Sequence, residues 1–324
     1  ASPGRYDVVL TVADDEGAAD ADDLEVVVLP GAFQACISAS KASDRIELGA
    51  GAVATCALRG EGGIRLADAA EAGGDLVART GDVELGDDAV VGGTVRAGGS
   101  VSLGERARVD VSAVSGADIA LAVDAVIAGD ATAAGVVELE AGASVGGAIA
   151  EGVTVPPIAG MSALAVTVEA GSEDVTVNTG DSLALAPGGY RKLKVKQDGI
   201  LTLSAGQYAF ERLDLAKDAV LVADLGGGTL VVDVEKQVDL GEGATVAVEG
   251  GGAADVLFRT AGHSVRLGKA STVAGTFVAP GADIVVRQDA EVAGALHGRS
   301  VDLEDGARLT AATAIDLVIA WFVP

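Results

Sequence analysis

A nine-residue phrase recurs between Ile46 and Leu309, and it constrains the fold more than any other feature of the chain. It reads apolar, any, Leu, a small or acidic residue, two hydrophilic or small residues, Ala, any, apolar. Six copies, spaced by 18 residues with one step of 19, begin at Ile46, Ile64, Val83, Val101, Ile119 and Val137. Later copies begin at Leu213, Val238, Val265, Ile284 and Val301. Repeats of this kind bury their apolar faces only against one another, so the sequence predicts a solenoid.

The alternation within each phrase predicts strands. Val83 and Leu85 share one face of a short strand, while Glu84 points to the other face. The 46 glycines of the chain disfavour helices, because Gly inside a helix costs roughly 1 kcal/mol relative to Ala. Gly-rich segments between phrases, such as Gly92 to Ser100, are typical of corners. We therefore predict an all-β parallel β-helix with three short strands in each coil of about 18 residues. Its handedness does not follow from these residues.

Leu at phrase position three and Ala at position seven are expected to stack into two interior columns. The Leu column would comprise Leu48, Leu66, Leu85, Leu103, Leu121 and Leu139. The Ala column would comprise Ala52, Ala70, Ala89, Ala107, Ala125 and Ala143. Aromatic residues make up only 3% of the chain, which suits a narrow tube. With rungs about 4.8 Å apart, a dozen or so stacked coils would form a rod roughly 60 Å long.

The charge balance limits the partners of the chain. Forty-eight acidic and 22 basic residues give a net charge of -26, which argues against nucleic acid and against an anionic membrane surface. The charge predicts a solvated exterior, with a high-salt habitat or diffuse divalent-cation binding as alternatives. The sequence has no apolar run long enough for a membrane span. It also begins without a signal peptide, so we expect Ala1 to be a processed or trimmed end.

Two cysteines, Cys36 and Cys56, lie twenty residues apart, which is close to one coil. Their sulfurs would then fall on adjacent rungs and form a disulfide, although two buried thiols remain the alternative. Closing such a loop contributes about 3 kcal/mol in the chain-entropy model. The disulfide is favoured because the flanking features are typical of a protein outside the cell or at the cell surface.

The chain divides into five segments. Residues 1–30 form a β hairpin, 31–155 a first solenoid block, 156–173 a linker, 174–312 a second solenoid block and 313–324 an apolar strand. The linker is predicted from Pro156 and Pro157, because proline cannot donate to a strand ladder. The sequence alone does not determine whether the two blocks stack continuously.

The first hairpin resembles the last hairpin of a PKD-type immunoglobulin-like domain. The matching residues are Gly4, Tyr6, Val8, Leu10, Val12, Asp14 and Gly17. Two strands alone are marginal in water, so the missing strands lie outside the chain, come from another subunit, or are replaced by packing on the solenoid. The acidic turn of the hairpin offers carboxylates for Ca²⁺ at Asp14, Asp15, Asp20 and Asp22. A solvated loop is the simpler interpretation.

The solenoid resembles bacterial polymer-forming β-helix proteins of the bactofilin type and their secreted surface relatives. The resemblance is carried by VGGTVRAGGSVSLGERARV (91–109) and VAGTFVAPGADIVVRQDAEVAGALHGRSVDLEDGARL (273–309). It implies a right-handed β-helix that associates end to end and has no catalytic activity. The PKD-like start departs from true bactofilins, which puts their cytoskeletal role in doubt here.

The chain closes with AIDLVIAWFVP, which is too short to span a bilayer. One interpretation is a strand that caps the last coil. The other is a donor strand that completes the hairpin of a neighbouring chain and so builds a head-to-tail fibre. The residues expected to mediate this assembly are Ile315, Leu317, Ile319, Trp321 and Phe322.

The sequence lacks motifs that are typical of catalytic, metal or nucleotide sites. It contains no Cys-x-x-Cys, His-Glu-x-x-His or phosphate-loop pattern, so we predict no catalytic residue and no cofactor other than possible Ca²⁺. The phrase has no Thr column, which argues against the flat Thr array of an ice-binding surface. We therefore predict a non-enzymatic extracellular structural protein that self-assembles. The alternative is a monomeric stalk or adhesin module that binds a surface glycan or Ca²⁺ through its acidic face.

Overall fold

A computed structural model of the chain describes residues 4–13, 19–28, 35–161, 165–312 and 319–321, with side chains in 35–161 and 165–312. The chain forms two units. Residues 1–34 and 313–324 belong to the smaller unit, and 35–312 to the larger one.

The smaller unit contains a three-stranded antiparallel sheet. Strands β1 (Gly4–Ala13) and β2 (Ala19–Val28) form the predicted hairpin, with Gly4 opposite Val28. Strand β36 (Ile319–Trp321) pairs with the other edge of β2. The further strands of an immunoglobulin-like sandwich are not found among the described residues.

The larger unit is the predicted parallel β-solenoid, with about 14 turns of about 19 residues each. Its described residues include no α-helix, and one 3-10 helix lies at Ala253–Asp255. Each turn contributes strands to three faces, which we number in the order that the phrase meets them.

Strands are numbered in chain order, and four long ones bend around the corners to join more than one face: β27 (Gly206–Leu215), β29 (Leu230–Leu240), β33 (Thr272–Val286) and β34 (Glu291–Leu303). The other strands of face 1 are β4 (Ile46–Leu48), β7 (Ile64–Leu66), β10 (Val83–Leu85), β13 (Val101–Leu103), β16 (Ile119–Leu121), β19 (Val137–Leu139), β22 (Val175–Val177), β25 (Lys192–Val195) and β32 (Ser264–Leu267). Those of face 2 are β5 (Val53–Ala54), β8 (Glu71–Ala72), β11 (Val90–Val91), β14 (Arg108–Val109), β17 (Val126–Ile127), β20 (Ser144–Val145), β23 (Ser182–Leu185), β26 (Ile200–Ser204), β28 (Val220–Asp224), β30 (Thr245–Glu249) and β35 (Arg308–Thr310). Those of face 3 are β3 (Ala35–Ala39), β6 (Ala57–Gly60), β9 (Leu76–Ala78), β12 (Val95–Ala97), β15 (Ala113–Ser115), β18 (Ala131–Ala133), β21 (Ile149–Ala150), β24 (Gly188–Gly189) and β31 (Val256–Thr260).

The two interior columns form as the sequence predicts. Leu48 and Leu66 are fully buried, and Ala52 and Ala70 lie in the same core. In-register pairing of β4 with β7 places Leu48 beside Leu66, and the same register repeats from rung to rung. Each fully buried Leu contributes about 1.5–3 kcal/mol of hydrophobic stabilisation relative to an exposed one. The exceptions lie in the outermost coil, where Leu139 is 44% exposed and Ala143 is partly buried.

The corner between faces 1 and 2 repeats one backbone conformation. Phrase position six has a positive φ in every coil, between 53° and 79°. Glycine fills this position in some coils, such as Gly51, whereas others place Ala69 or Asp88 there at a conformational cost. Elsewhere at the corners Asp carboxylates reach the next rung: Asp75 accepts from the Thr94 N–H at 2.7 Å. These bonds satisfy donors that the ladder leaves unpaired.

The order of coils in space differs from their order in sequence. The last coil of the second block stacks on the first coil of the first block, where β34 pairs with β3 and β4, and β35 with β5. This contact, which we call the junction, places Val301 beside Ile46 and Leu309 beside Ala54. The two blocks therefore do form one continuous stack. The last coil therefore has no open edge on this side, because it lies inside the rod.

The linker must consequently return along the rod. Twelve rung spacings, or about 58 Å, separate β21 from β24 at the two ends of the rod. The 24 residues between the last strand of the first block and the first strand of the second would span at most about 85 Å if fully extended, so they can cover this distance. The segment docks on face 3, where Arg59 donates to the Ala159 carbonyl at 2.6 Å and the Met161 N–H donates to Glu61 at 2.5 Å. Arg79 donates to the same carboxylate at 2.6 Å. Strands end at Ala150 and resume at Val175.

Ser271 is the one seryl residue in the Ala column, and its substitution tests how strictly this column requires an apolar side chain. It is 1% exposed, and its hydroxyl has no hydrogen-bond partner. We expect Ser271→Ala to raise the free energy of unfolding by about 1 kcal/mol, because a buried unpaired hydroxyl is removed. Urea denaturation measures this change. Ser102→Ala, at an exposed position of face 1, is the matched control; a less stable Ser271→Ala protein would contradict the prediction.

Candidate interaction surfaces

The residues predicted to bind Ca²⁺ are not brought together by the described structure. Asp20 and Asp22 lie on β2, opposite Val12 and Leu10, rather than in the turn. Asp14 and Asp15 fall outside the described residues. Within the part of the chain whose side chains are described, no group of three or more His, Cys, Asp and Glu residues has the geometry of a metal site. Calcium binding by the hairpin stays a prediction.

The residues predicted for assembly belong to the smaller unit. Ile319 and Trp321 lie on β36, which pairs with β2 of its own chain so that Trp321 is opposite Glu25. Ile315, Leu317 and Phe322 are outside the described residues. The C-terminal strand thus extends the hairpin within one chain, and the donation of this strand to a neighbour has no support from this pairing.

Cys36 and Cys56 form a disulfide, with Cα atoms 5.9 Å apart. The bond joins β3 to the residue before β6, and so ties the first two rungs of the first block together. These rungs adjoin the junction, where the first block meets the second without continuity of the chain.

The two outer ends of the solenoid differ in exposure. The first tip, formed by β19, β20 and β21, exposes Leu139 and Ile149 by 44% and 47%. The second tip, formed by β22, β23 and β24, exposes Leu183 by 37% but buries Val175 and Val177. Among the described strands, none pairs with the outer edges of either tip. Apolar side chains beside unpaired strand edges favour the addition of another strand ladder.

The second tip is partly closed where the linker enters it. The Gly171 N–H donates to the Tyr190 carbonyl at 3.0 Å, next to β24 on face 3. Its open part is therefore β22 and β23, on faces 1 and 2.

Part of face 2 in the second block presents an array of uncharged side chains to solvent. Two outward columns run across five rungs, in the register Ile200–Val220–Thr245–Thr272 and Thr202–Val222–Ala247. The array comprises Ser182, Ala184, Ile200, Thr202, Val220, Val222, Thr245, Ala247, Thr272 and Ala274. Its rungs repeat about every 4.8 Å. Charged residues border the array, with Asp224 and Glu249 at the ends of two of its strands and Glu291 on the next rung.

The outward column of face 1 contains several carboxylates beside one another. Asp302 lies beside Glu47 across the junction, and Asp239 lies beside Asp214. Burial raises the pKa of Asp302, and the neighbouring carboxylates, with Glu47 the foremost, raise it further. Other members are paired with bases: Arg65 approaches Glu47 at 3.7 Å. The exposed ion pairs contribute little to stability, since such pairs are typically worth less than about 1 kcal/mol.

Polar side chains hold the junction on face 3 and at the neighbouring corner. His297 on β34 lies beside Ser38 on β3, and Nδ1 and Oγ share a hydrogen bond of 2.8 Å. Both residues are buried although they occupy outward positions. Nearby, Arg299 forms ion pairs with Asp283 and with Asp44, the latter at 3.6 Å. This contact was not predictable from the sequence, because the two histidines follow no recognisable spacing.

The junction should weaken in acid because of His297. Burial lowers the pKa of His297 to about 4, from about 6.5 in an unfolded chain. As the pH falls from about 6.5 to about 4, His297 is protonated in the unfolded chain but not in the folded one. The free energy of unfolding therefore decreases, by about 3 kcal/mol in total. We expect His297→Asn to reduce this pH dependence in urea denaturation between pH 7 and pH 4. His263→Asn, at an exposed position, should keep the wild-type slope; equal slopes in all three proteins would refute the assignment.

No family model matches the chain, and no curated protein matches it. An ice-binding protein from the Antarctic ascomycete Antarctomyces psychrotrophicus is 18% identical over 66% of this chain and 94% of its own, with a TM-score of 0.29. An ice binding protein from an Antarctic bacterium, Flavobacteriaceae, is 13% identical over 86% of this chain and 82% of its own, with a TM-score of 0.27. At these values neither likeness says what this chain binds.

No helix among the described residues is long and apolar enough to cross a membrane.

Proposed function

We propose that the chain is a non-enzymatic extracellular structural protein whose solenoids stack head to tail through their tips. The first tip of one chain would meet the second tip of the next, and the same contact would repeat along a fibre or surface layer. Such a heterologous contact does not close on itself, so growth is open-ended.

The observation that supports this proposal most strongly is the junction. There, the last coil of one block accepts the first coil of the other, although some 250 residues separate them in sequence. Head-to-tail contact has the same polarity, because the last coil of the first block would accept the first coil of the second block of another chain. The phrase fixes the register: VELEAGASV at Val137 would lie on VTVNTGDSL at Val175, with Leu139 beside Val177 and Val145 beside Leu183.

Two further observations support an extracellular structural role. The Cys36–Cys56 disulfide is typical of oxidising compartments. The tube interior is filled with apolar side chains, which are mostly aliphatic but include stacked aromatic rings in the second block. Outward carboxylates such as Asp174 and Asp283 are engaged by arginines on neighbouring rungs. Carboxylates held in this way connect neighbouring rungs, which favours a structural role over a catalytic one. We propose the cell surface as the location of the assembly.

The test compares a tip variant with a flank variant. Leu139→Glu places a charge on the first tip, and Val111→Glu places one on the side of the rod, at residues of nearly equal exposure, 44% and 46%. We expect wild type and Val111→Glu to form filaments in electron micrographs, and Leu139→Glu to remain single. The physical reason is that the new carboxylate would have to be buried without a partner in the stacked contact.

Three controls and outcomes complete this test. Circular dichroism should show the same folded strand content in all three proteins. Filaments that persist in Leu139→Glu would refute stacking through the first tip. Particles that stay single in every protein at high concentration would favour the alternative, a monomeric stalk or adhesin module.

A second candidate function rests on the uncharged array of face 2. We propose that these regularly spaced hydroxyl and methyl groups bind an ordered surface such as ice. The phrase lacks a Thr column, as noted from the sequence, but outward Thr residues gather on this face because the longer strands of the second block add a second outward column. Thr245 and Thr272 are adjacent in one column, and Thr202 lies in the other.

The measurement for this candidate is inhibition of ice recrystallisation. We expect wild type to inhibit it, Thr272→Lys to lose most of the effect, and Ser102→Lys, which adds the same charge to face 1, to retain it. The reason is that a lysine side chain protrudes from the array and prevents flat contact. Wild type that performs no better than an unrelated acidic protein would eliminate this candidate.

A further inference from the structure

The seventh residue of the phrase occupies the same backbone position in every coil. Its N–H donates to the carbonyl of the fourth residue, as from Ala52 to Gly49 at 3.1 Å and from Asp181 to Asn178 at 3.0 Å. The residue before it has a positive φ in each case, 63° at Gly51 and 72° at Gly180. Because the backbone is the same, the Cα–Cβ bond points in the same direction, toward the interior corner.

This corner column contains Ala in nearly all coils. Its members, in spatial order from the second tip, are Asp181, Gly199, Ala219, Ala244, Ser271, Ala290, Ala307, Ala52, Ala70, Ala89, Ala107, Ala125 and Ala143. The alanines between the tips are fully buried. Asp181 is the one charged member, and it is exposed in the structure because it lies in the outermost coil.

Stacking of a second chain would change the surroundings of Asp181. In the register of the phrase, Ala143 of the incoming first tip would lie over it, flanked by Gly142 and Ser144. None of these residues carries a positive charge, and the nearest ionisable side chain in that phrase is Glu140. The carboxylate would therefore be buried in a column built for methyl groups, without a basic partner, which is unfavourable.

At the junction, the same kind of stacking contact occurs with alanine on both sides. There Ala307 and Ala52 are the corner residues of the two coils that meet, and both are fully buried. The same stacking geometry is thus satisfied inside the chain by two alanines, whereas between chains it would oppose an alanine to an aspartate.

We propose that Asp181 acts as a gate on the second tip, which weakens head-to-tail stacking with a second copy of this chain while leaving the internal junction unaffected. This inference rests on the proposed function, since it assumes that tips stack. It explains how one chain holds two equivalent stacking surfaces and yet forms the internal contact in preference to the external one.

The experiment measures self-association by sedimentation over a range of concentrations. Asp181→Ala introduces the residue that the other coils use, so it should fold, and its melting temperature verifies this. We expect association of Asp181→Ala to begin at a concentration at least about tenfold lower than in wild type, with Asp181→Asn between them. Glu173→Ala removes the same charge from an exposed position near this tip, and should stay within about twofold of wild type.

The outcomes separate the gate from the assembly on which it rests. Equal association of wild type, Asp181→Ala and Glu173→Ala would overturn the gate while leaving stacking intact. Addition of Leu139→Glu to Asp181→Ala should abolish the gained association; if it does not, the chains meet elsewhere and head-to-tail stacking is wrong. Absence of association in Asp181→Ala at every concentration would overturn both.

Discussion

In-register pairing of each coil with its neighbour is the constraint on which the rest of the structure depends. It satisfies the backbone hydrogen bonds of three faces at once, and it aligns identical phrase positions into columns. A column then selects one kind of side chain: leucines such as Leu48 inside face 1, alanines such as Ala52 at the corner. Departures from a column consequently have large effects at their own rung and small ones elsewhere, because each coil contacts only its neighbours.

The junction shows that this pairing does not require chain continuity. Coils that contain Ile37 and Leu296 pair as regularly as coils that follow one another, and their contact adds the Ser38–His297 hydrogen bond and the Arg299 ion pairs. This arrangement of the coils requires a long linker between the two blocks. The linker runs the length of the rod and is fixed near its middle by Glu61, a buried carboxylate that accepts from both Arg79 and the Met161 N–H.

The sequence predicted the solenoid, its interior columns and the adjacency of Cys36 and Cys56, because these follow from a local period. It did not predict the order of coils, since a repeated phrase carries no information about which copy meets which. The copies at Val175 and Leu193 went unrecognised, as Asp181 and Gly199 replace the expected Ala. The junction histidine was missed because its partner lies on a rung remote in sequence. The array of face 2 was missed because its second outward column comes from strands that are longer than those of the phrase. A search for phrases with relaxed third and seventh positions would have found the two missing coils, since Val177 and Val195 also replace the expected Leu.

The position of the junction has a consequence for folding. Each block is built from local contacts between successive coils, so each can form early, whereas docking of the blocks must close a loop of more than 200 residues. The docking surface is the same whether the second block belongs to the same chain or to another, and only the tether of residues 156–173 raises the local concentration of the correct partner. At high protein concentration, we therefore expect refolding chains to form domain-swapped dimers, in which the first block of each molecule docks on the second block of the other.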